Sequence, residues 1–141
     1  MPAGYSGKPL AEKLGIKPGM EVAALGAPAN YRSLIEPLPP GVTVARTPKK
    51  GAAFIHVFVK SREELGEHLV MYRKAMAQDG VLWVSWPKKA AKVATNVTED
   101  VVRDLALPLG LVDVKVCAVD DIWSGLKLVI RTGERKRAPS P

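Results

Sequence analysis

Runs of apolar residues alternate along the chain with stretches of helical periodicity. The strongest run is residues 52–59, AAFIHVFV, which is apolar almost throughout, as expected for a strand covered on both faces. Shorter strand patterns cover residues 20–25, 42–46 and 81–86. Buried strands at this spacing, with helical patterns between them, predict a layered α/β domain.

The clearest helical pattern follows residue 60. Ser61 and Glu64 have the spacing of a capping box, and Asp79-Gly80 is the predicted end of this helix. Its apolar stripe at helical period is Leu65, Leu69, Tyr72 and Met76. The other predicted helices are a short one ending at Gly15, one around Tyr31 to Ile35, and one from Glu99 to Leu107 with Asn96 and Glu99 in capping-box spacing.

The last part of the chain reads as two strands joined by a turn. Residues 109–119 alternate strictly, which predicts one face made of Val112, Val114, Val116 and Ala118. The turn is DDIWSG, and residues 126–131 form the final strand. The order of elements predicts a three-layer, mostly parallel sheet with an antiparallel C-terminal strand and helices on both faces.

Composition indicates one globular domain, residues 1–131, followed by a basic tail, residues 132–141, whose composition is typical of disorder. The N-terminus has no apolar segment typical of a signal peptide, and no apolar run is long enough to span a bilayer, so we expect a cytoplasmic protein. The single cysteine, Cys117, fits a reducing compartment, and no metal-ligand spacing is present. The net charge of +7 favours an anionic partner: a small molecule, nucleic acid or an acidic protein surface.

Several segments resemble a family of small bacterial proteins that carries only a domain-of-unknown-function label. They are EKLGIKPGMEVAALGAP, DGVLWVSWPKK, TEDVVR and WSGLKLVIR, and the resemblance covers roughly Tyr5 to Arg131. The order of elements is also similar, more distantly, to the Rossmann-like fold of S-adenosylmethionine-dependent methyltransferases. Compared with that fold the chain looks shortened, because a helix–strand–helix unit is missing before residue 52. The resemblance implies a shortened Rossmann-like topology and no particular activity.

The residues expected of a methyltransferase cofactor site are mostly missing. Gly26 is the only glycine after the first strand, and Pro28 removes a backbone donor. The second strand ends in Arg46, where an acid would hold the ribose hydroxyls. An arginine there suits a phosphate, as in sites for phosphorylated dinucleotides. These departures argue against S-adenosylmethionine, and we predict no cofactor.

Ligands of open α/β sheets bind beyond the carboxyl ends of the parallel strands. Besides Gly26, the candidate ligand-binding residues that the sequence places there are Asn30, Tyr31, Arg46, Lys60, Trp86, Lys88, Lys89, Asp120 and Trp123. Each has a simpler interpretation: Trp86 and Trp123 as caps of the core, the lysines as a solvated surface, Asp120 as a turn former. A strand histidine such as His56 is typically a hydrogen-bonded core residue.

Three functions are compatible with these features. The one we favour is a non-catalytic binding module that uses this cationic and aromatic edge for an anionic ligand or partner. The first alternative is an enzyme with a degenerate nucleotide site, either methyltransferase-like or dependent on a phosphorylated dinucleotide. The second is nucleic-acid binding through the basic surface and tail, although no nucleic-acid motif is recognisable.

Overall fold

The computed structural model describes residues 8–135, which form a six-stranded sheet between two layers of helices. The strands are β1 (Glu21–Leu25), β2 (Thr43–Ala45), β3 (Ala52–Phe58), β4 (Met76–Pro87), β5 (Leu111–Ala118) and β6 (Trp123–Ile130). The α-helices are α1 (Leu10–Leu14), α2 (Tyr31–Ile35), α3 (Arg62–Ala75) and α4 (Glu99–Ala106). Short 3₁₀ turns cover Lys89–Ala91, Leu107–Leu109 and Thr132–Glu134.

The strand order is β2-β1-β3-β4-β6-β5. Strands β1 to β4 are mutually parallel, and β6 lies antiparallel between β4 and β5. The prediction of a mostly parallel sheet with an antiparallel C-terminal strand is confirmed. All parallel strands, including β5, therefore end at one edge of the sheet, which we call the carboxyl edge.

Each face of the sheet has its own apolar core. On one face α3 and α4 cover the sheet, and the predicted stripe of α3 is buried there, with Leu65 and Leu69 fully inaccessible. On the other face α1 and α2 pack against Phe54, Phe58 and Trp83. Because Trp83 is fully buried, its indole N–H needs a partner, and it donates to the carbonyl of Leu14 at 2.9 Å.

The predicted end of α3 at Asp79-Gly80 is wrong. The helix stops at Ala75, and Met76 already pairs with Ala52 of β3. A β-carbon on Gly80 would lie 2.9 Å from the carbonyl oxygen of Ala52. Gly80 is thus the residue that lets the start of β4 run close beside β3, and it does not end the helix.

The two longer helices begin at side-chain caps. The Ser61 hydroxyl accepts from the Glu64 N–H at 3.1 Å, as the capping-box spacing predicts. For α4 the predicted cap is wrong, because Thr98 and not Asn96 accepts from the helix N–H, at Val101. Asn96 instead accepts from the backbone N–H of Arg62 at 2.7 Å, which joins the loop before α4 to the start of α3.

The predicted alternation of the penultimate strand is also wrong. A register shift between Asp113 and Lys115 interrupts the pairing with β6, so the two halves of β5 do not share one alternation. Val112 pairs with Val129, whereas Val116 pairs with Leu126, and these positions belong to opposite faces of the sheet. The turn that follows is shorter than predicted, because β6 already begins at Trp123.

Residues 46–51 form the short connection from β2 to β3. The two strands are both parallel to β1 and lie on either side of it, so this link returns from the carboxyl edge to the opposite, amino edge. Such crossovers normally need a dozen or more residues. The shortness of the link fits the length of β2, which has three residues. Within the described part of the chain, none of the helices combines the length and apolar character needed to cross a bilayer.

Candidate functional site

A cleft of about 480 Å³ opens at the carboxyl edge, between the ends of β1 and β2. It is lined by Ala24, Gly26, Ala27, Pro28, Ala29, Tyr31, Arg32, Val44, Ala45 and Arg46. Among these residues Arg32 and Arg46 are the charged ones, and both are exposed. The cleft therefore offers two guanidinium groups, which suit the planar oxygens of phosphate or carboxylate groups.

Tyr31 connects this cleft to a buried polar network. Its hydroxyl lies 2.9 Å from Nδ1 of His56, and Nε2 of His56 lies 2.7 Å from the hydroxyl of Ser85. The three side chains come from α2, β3 and β4, and all are buried. The hydrogen bonds fix the position of the helix that forms one side of the cleft.

Burial controls the ionisation of this network. Desolvation lowers the pKa of His56 to about 3, and it raises the pKa of the Tyr31 hydroxyl well above its usual range. At neutral pH both groups are thus uncharged. A neutral imidazole has one N–H and one bare nitrogen, so His56 donates to one of the two hydroxyls and accepts from the other.

The backbone conformation and packing at residue 26 require a glycine, independently of any ligand. Its φ of +67° is one that residues with a β-carbon rarely adopt. A β-carbon there would also lie 2.8 Å from the carbonyl oxygen of Phe58. Gly26 lets the loop after β1 approach the end of β3, and its presence at the cleft is explained by the packing of backbone on backbone.

Lysines lie further along the same edge. Lys60 follows β3, and its carbonyl accepts from the Thr95 hydroxyl at 2.7 Å. Lys88 follows β4 and donates its backbone N–H to the carbonyl of Ile122 at 2.7 Å, while Lys89 begins a 3₁₀ turn. The backbones of Lys60 and Lys88 are thus held by the fold at the carboxyl edge.

The two tryptophans of this edge are buried on opposite faces of the sheet. Trp86 belongs to the core under α3 and α4, while Trp123 packs edge-on against Phe58 on the other face. A carboxylate oxygen of Asp120 accepts from the backbone N–H groups of Ile122 and Trp123, both at 2.8 Å, which closes the turn between β5 and β6. Asn30 is exposed at the start of α2 and makes no side-chain cap.

A second cleft, of about 470 Å³, opens at the amino edge. It contains Glu21 and Lys49, whose side chains form an ion pair at 3.8 Å, together with Lys50. Its charge is mixed, and it lies away from the edge at which open α/β sheets bind ligands. Within residues 8–135 no three His, Cys, Asp or Glu side chains come together as metal ligands would.

Solved structures of other proteins have a similar fold. A candidate type 11 methyltransferase from Sulfolobus solfataricus has a TM-score of 0.62 at 11% identity, over 94% of this chain and 95% of that one. An S-adenosylmethionine-dependent methyltransferase from Aquifex aeolicus has a TM-score of 0.59 at 15% identity, over 86% and 87%. The fold is that of a Rossmann-like methyltransferase. A ribosomal protein L11 methylase from Lactobacillus delbrueckii is similar as well, with a TM-score of 0.57 at 10% identity over 86% and 75%.

These identities are low, so the comparison shows the methyltransferase-like fold and nothing about activity. The resemblance in the order of elements is confirmed at this level. No family model matches the chain, and no curated protein sequence matches it.

Two features of the site are not apparent in the sequence pattern. Arg32 has no motif around it, and it reaches the cleft because α2 begins directly at its edge. Ser85 is 29 positions from His56 and meets it only because β3 and β4 are neighbours in register. The burial of His56 between hydrogen-bond partners agrees with its interpretation as a core residue.

Proposed function

We propose that this protein is a non-catalytic binding module for a small anionic ligand, held in the cleft between the ends of β1 and β2. The observation that carries the proposal is the pair Arg32 and Arg46, which line a cleft at the carboxyl edge, the edge of the sheet at which open α/β folds bind their ligands. The volume of about 480 Å³ falls within the range of small-molecule sites. The ligand class we favour is a nucleotide with a phosphate on its ribose.

The charge of the cleft supports this class over S-adenosylmethionine. Among the described residues that line it none is acidic, so a ribose lacks the carboxylate that usually binds its hydroxyls, and a positive sulfonium meets two positive side chains. Arginine binds phosphate oxygens through paired N–H groups, which gives geometry as well as charge. A phosphate on the ribose fits both requirements.

Polar groups of the carboxyl edge and of the buried network are engaged by the fold, which supports a role without catalysis. Asp120 closes a turn through two backbone N–H groups, and His56 is buried and neutral. Ser85 is fully buried and hydrogen-bonded to His56. This carboxylate, this imidazole and this hydroxyl, which are groups of the kind that serve acid–base or nucleophilic chemistry, are therefore used by the fold.

The test compares NADP⁺ with NAD⁺, which differ by one phosphate, in a thermal-shift titration of the whole chain. We expect NADP⁺ to raise the melting midpoint more than NAD⁺, since ligand at about 100 times its dissociation constant adds about 2.7 kcal/mol of stability. Arg46→Ala and Arg32→Ala should each remove the difference. Arg131→Ala, an exposed arginine at the amino edge, is the matched control and should retain it. Equal shifts with both dinucleotides, or none, would reject the phosphate site.

A second candidate is a methyltransferase-like enzyme, which the similarity to solved methyltransferases favours. It predicts that S-adenosylmethionine and its demethylated product raise the midpoint and that NADP⁺ does not. That outcome would replace the binding module with an enzyme. Retention of radiolabelled S-adenosylmethionine in equilibrium dialysis would measure the same site independently of stability.

A further inference from the structure

Strand β5 leaves one side of the sheet open. It is last in the strand order, so among the described residues its outer side has no neighbouring strand. It is eight residues long, whereas β2 at the opposite edge has three. A long edge strand presents backbone N–H and C=O groups to which another extended chain can pair.

Apolar side chains are exposed along this strand and at its end. Val114 is 54% exposed and Val116 is 52% exposed, and Ile122 in the following turn is 43% exposed. Six large apolar side chains are exposed among the described residues, and these are three of them. The register shift at Asp113 to Lys115 places Val116 on the face of α3 and α4, paired with Leu126 but left uncovered.

The other face of the same strand is positively charged. Lys115 pairs with Lys127 of β6, and its ammonium group donates to the carbonyl of Lys13 at 2.9 Å. Lys88 lies at the carboxyl end, next to the carbonyl of Ile122. Lys13, Lys115 and Lys88 are close enough to Cys117 that their charges oppose the rise in the pKa of its thiol, which burial causes.

From this arrangement we infer that β5 binds an acidic, extended peptide segment of another protein, which adds a strand to the sheet beside Val114–Ala118. Apolar side chains of the segment contact Val116 on one face, and acidic side chains face Lys115 and its neighbours on the other. The backbone hydrogen bonds of strand addition supply affinity, and the alternate side chains supply specificity.

The charges favour this partner over a second copy of the chain. An antiparallel pair of β5 strands would bring two copies of Lys115 close together, directly opposite each other when the pair is centred on that residue, and each chain carries a net charge of +7. Like charges directly opposite each other destabilise a strand pair. The surface is separate from the Arg32 and Arg46 cleft, which lies at the β1 and β2 side of the sheet, so the inference does not depend on the proposed function.

The test uses three fluorescein-labelled peptides of equal length and measures anisotropy with the full chain. The first alternates Glu and Val, the second alternates Lys and Val, and the third has the composition of the first with its Glu and Val residues in separate blocks. We expect the alternating acidic peptide to bind at least about tenfold more tightly than either of the others, which is about 1.4 kcal/mol. Hydrogen exchange of the complex should show new protection in β5.

Variants locate the binding. Val116→Ser and Lys115→Glu should each weaken the binding of the acidic peptide at least about fivefold, because the first removes an apolar contact and the second reverses a charge. Val70→Ser alters a similarly exposed valine on α3 and should leave the affinity unchanged. Arg46→Ala should also leave it unchanged, which separates this surface from the cleft. Circular dichroism of each variant establishes that it is folded.

Three results would overturn the inference. One is equal affinity for the acidic and basic alternating peptides, or no measurable binding of any of them. Another is loss of binding in Arg46→Ala with no new protection in β5, which would place the peptide in the cleft. The last is a dimer in sedimentation that Val116→Lys converts to monomer, which would make a second copy the occupant.

Discussion

His56 shows how much a single residue depends on its neighbours in space. In the sequence it is one polar residue in a run of apolar ones, and that pattern correctly indicates a buried histidine with hydrogen bonds. Its partners could not be identified in the same way. Tyr31 is 25 positions away and Ser85 is 29, and both contacts require the register of β3 against β4 and the position of α2.

The first prediction concerns acid stability. The folded protein keeps His56 neutral down to about pH 3, whereas the unfolded chain protonates it below its ordinary pKa of 6.5. Between these values the unfolded state binds more protons, so the free energy of unfolding should fall as the pH falls through this window. The limiting contribution is about 1.4 kcal/mol per pH unit. Urea unfolding at several pH values measures the slope.

A histidine variant separates this effect from the titration of carboxylates. His56→Gln should flatten the slope, because glutamine can hydrogen-bond but does not titrate. If His56→Gln and the unmodified protein have the same slope, the linkage to His56 is refuted.

A second prediction concerns Gly26. Gly26→Ala should lower the free energy of unfolding through both its positive φ and the contact with the Phe58 carbonyl. Gly51→Ala is the control, because Gly51 has a φ of +83° and nothing within 4 Å of its β-carbon position. The backbone strain of a positive φ costs about 1–2 kcal/mol. Gly26→Ala should therefore destabilise the protein by more than this amount, and by more than Gly51→Ala does. Equal effects in chemical denaturation would show that the loop moves away from Phe58.

Helices α3 and α4 each begin where a side chain accepts from the backbone, and for α4 the sequence allows more than one such start. For α4, Asn96 and Thr98 are both acceptable cap residues, and spacing to Glu99 favoured the wrong one. Tertiary contact decides between them, since Asn96 is already occupied by the N–H of Arg62. Cap positions near two helices are therefore hard to assign from spacing alone.

The third prediction tests this cap. Thr98→Ala should destabilise the protein by about 1 kcal/mol, because it leaves a helix N–H at Val101 without its side-chain acceptor. Thr47→Ala, in an exposed position of the β2–β3 link, is the matched control and should be nearly neutral. If the two variants had the same melting midpoint, the Thr98 cap would be refuted.

The fourth prediction is a substitution that increases stability. Gly66 lies inside α3, has no left-handed φ, and has nothing within 4 Å of its β-carbon position. Gly66→Ala should therefore stabilise the protein by about 0.5–1 kcal/mol, because alanine loses less conformational freedom in a helix. Gly15→Ala should instead destabilise it, since Gly15 ends α1 with a φ of +85°. A lower melting midpoint for Gly66→Ala would contradict the assignment of α3.

At the scale of the whole molecule, periodicity is informative about the sheet and less so about the site. Apolar runs identify every strand, and the strand–helix order yields the parallel and antiparallel parts. The cleft depends on which strands become neighbours in the sheet. It forms at the ends of β1 and β2 because β2 pairs with one side of β1 and β3 pairs with the other side. Arg46 could be placed at this edge by its position after a strand, whereas Arg32 could not.

The fifth prediction follows from the strand order. Strands β3, β4 and β6 have neighbours on both sides, whereas β2 is a three-residue edge strand. Native-state hydrogen exchange should show the slowest amides in the central strands, with β2 opening at much lower free energy. Residues of β1 that face β3 provide an internal reference within the same sheet. If the amides of β2 were protected as strongly as those of β4, the expectation that β2 opens at lower free energy would be wrong.

The link 46–51 has a consequence for how this architecture can grow. It joins two strands that lie on either side of β1, so its ends already point from the carboxyl edge to the amino edge. Lengthening a flexible connection costs little, about 0.6 kcal/mol for each doubling. The link is therefore a natural place to graft a reporter domain or a further strand, and the minimal sheet should tolerate the added sequence.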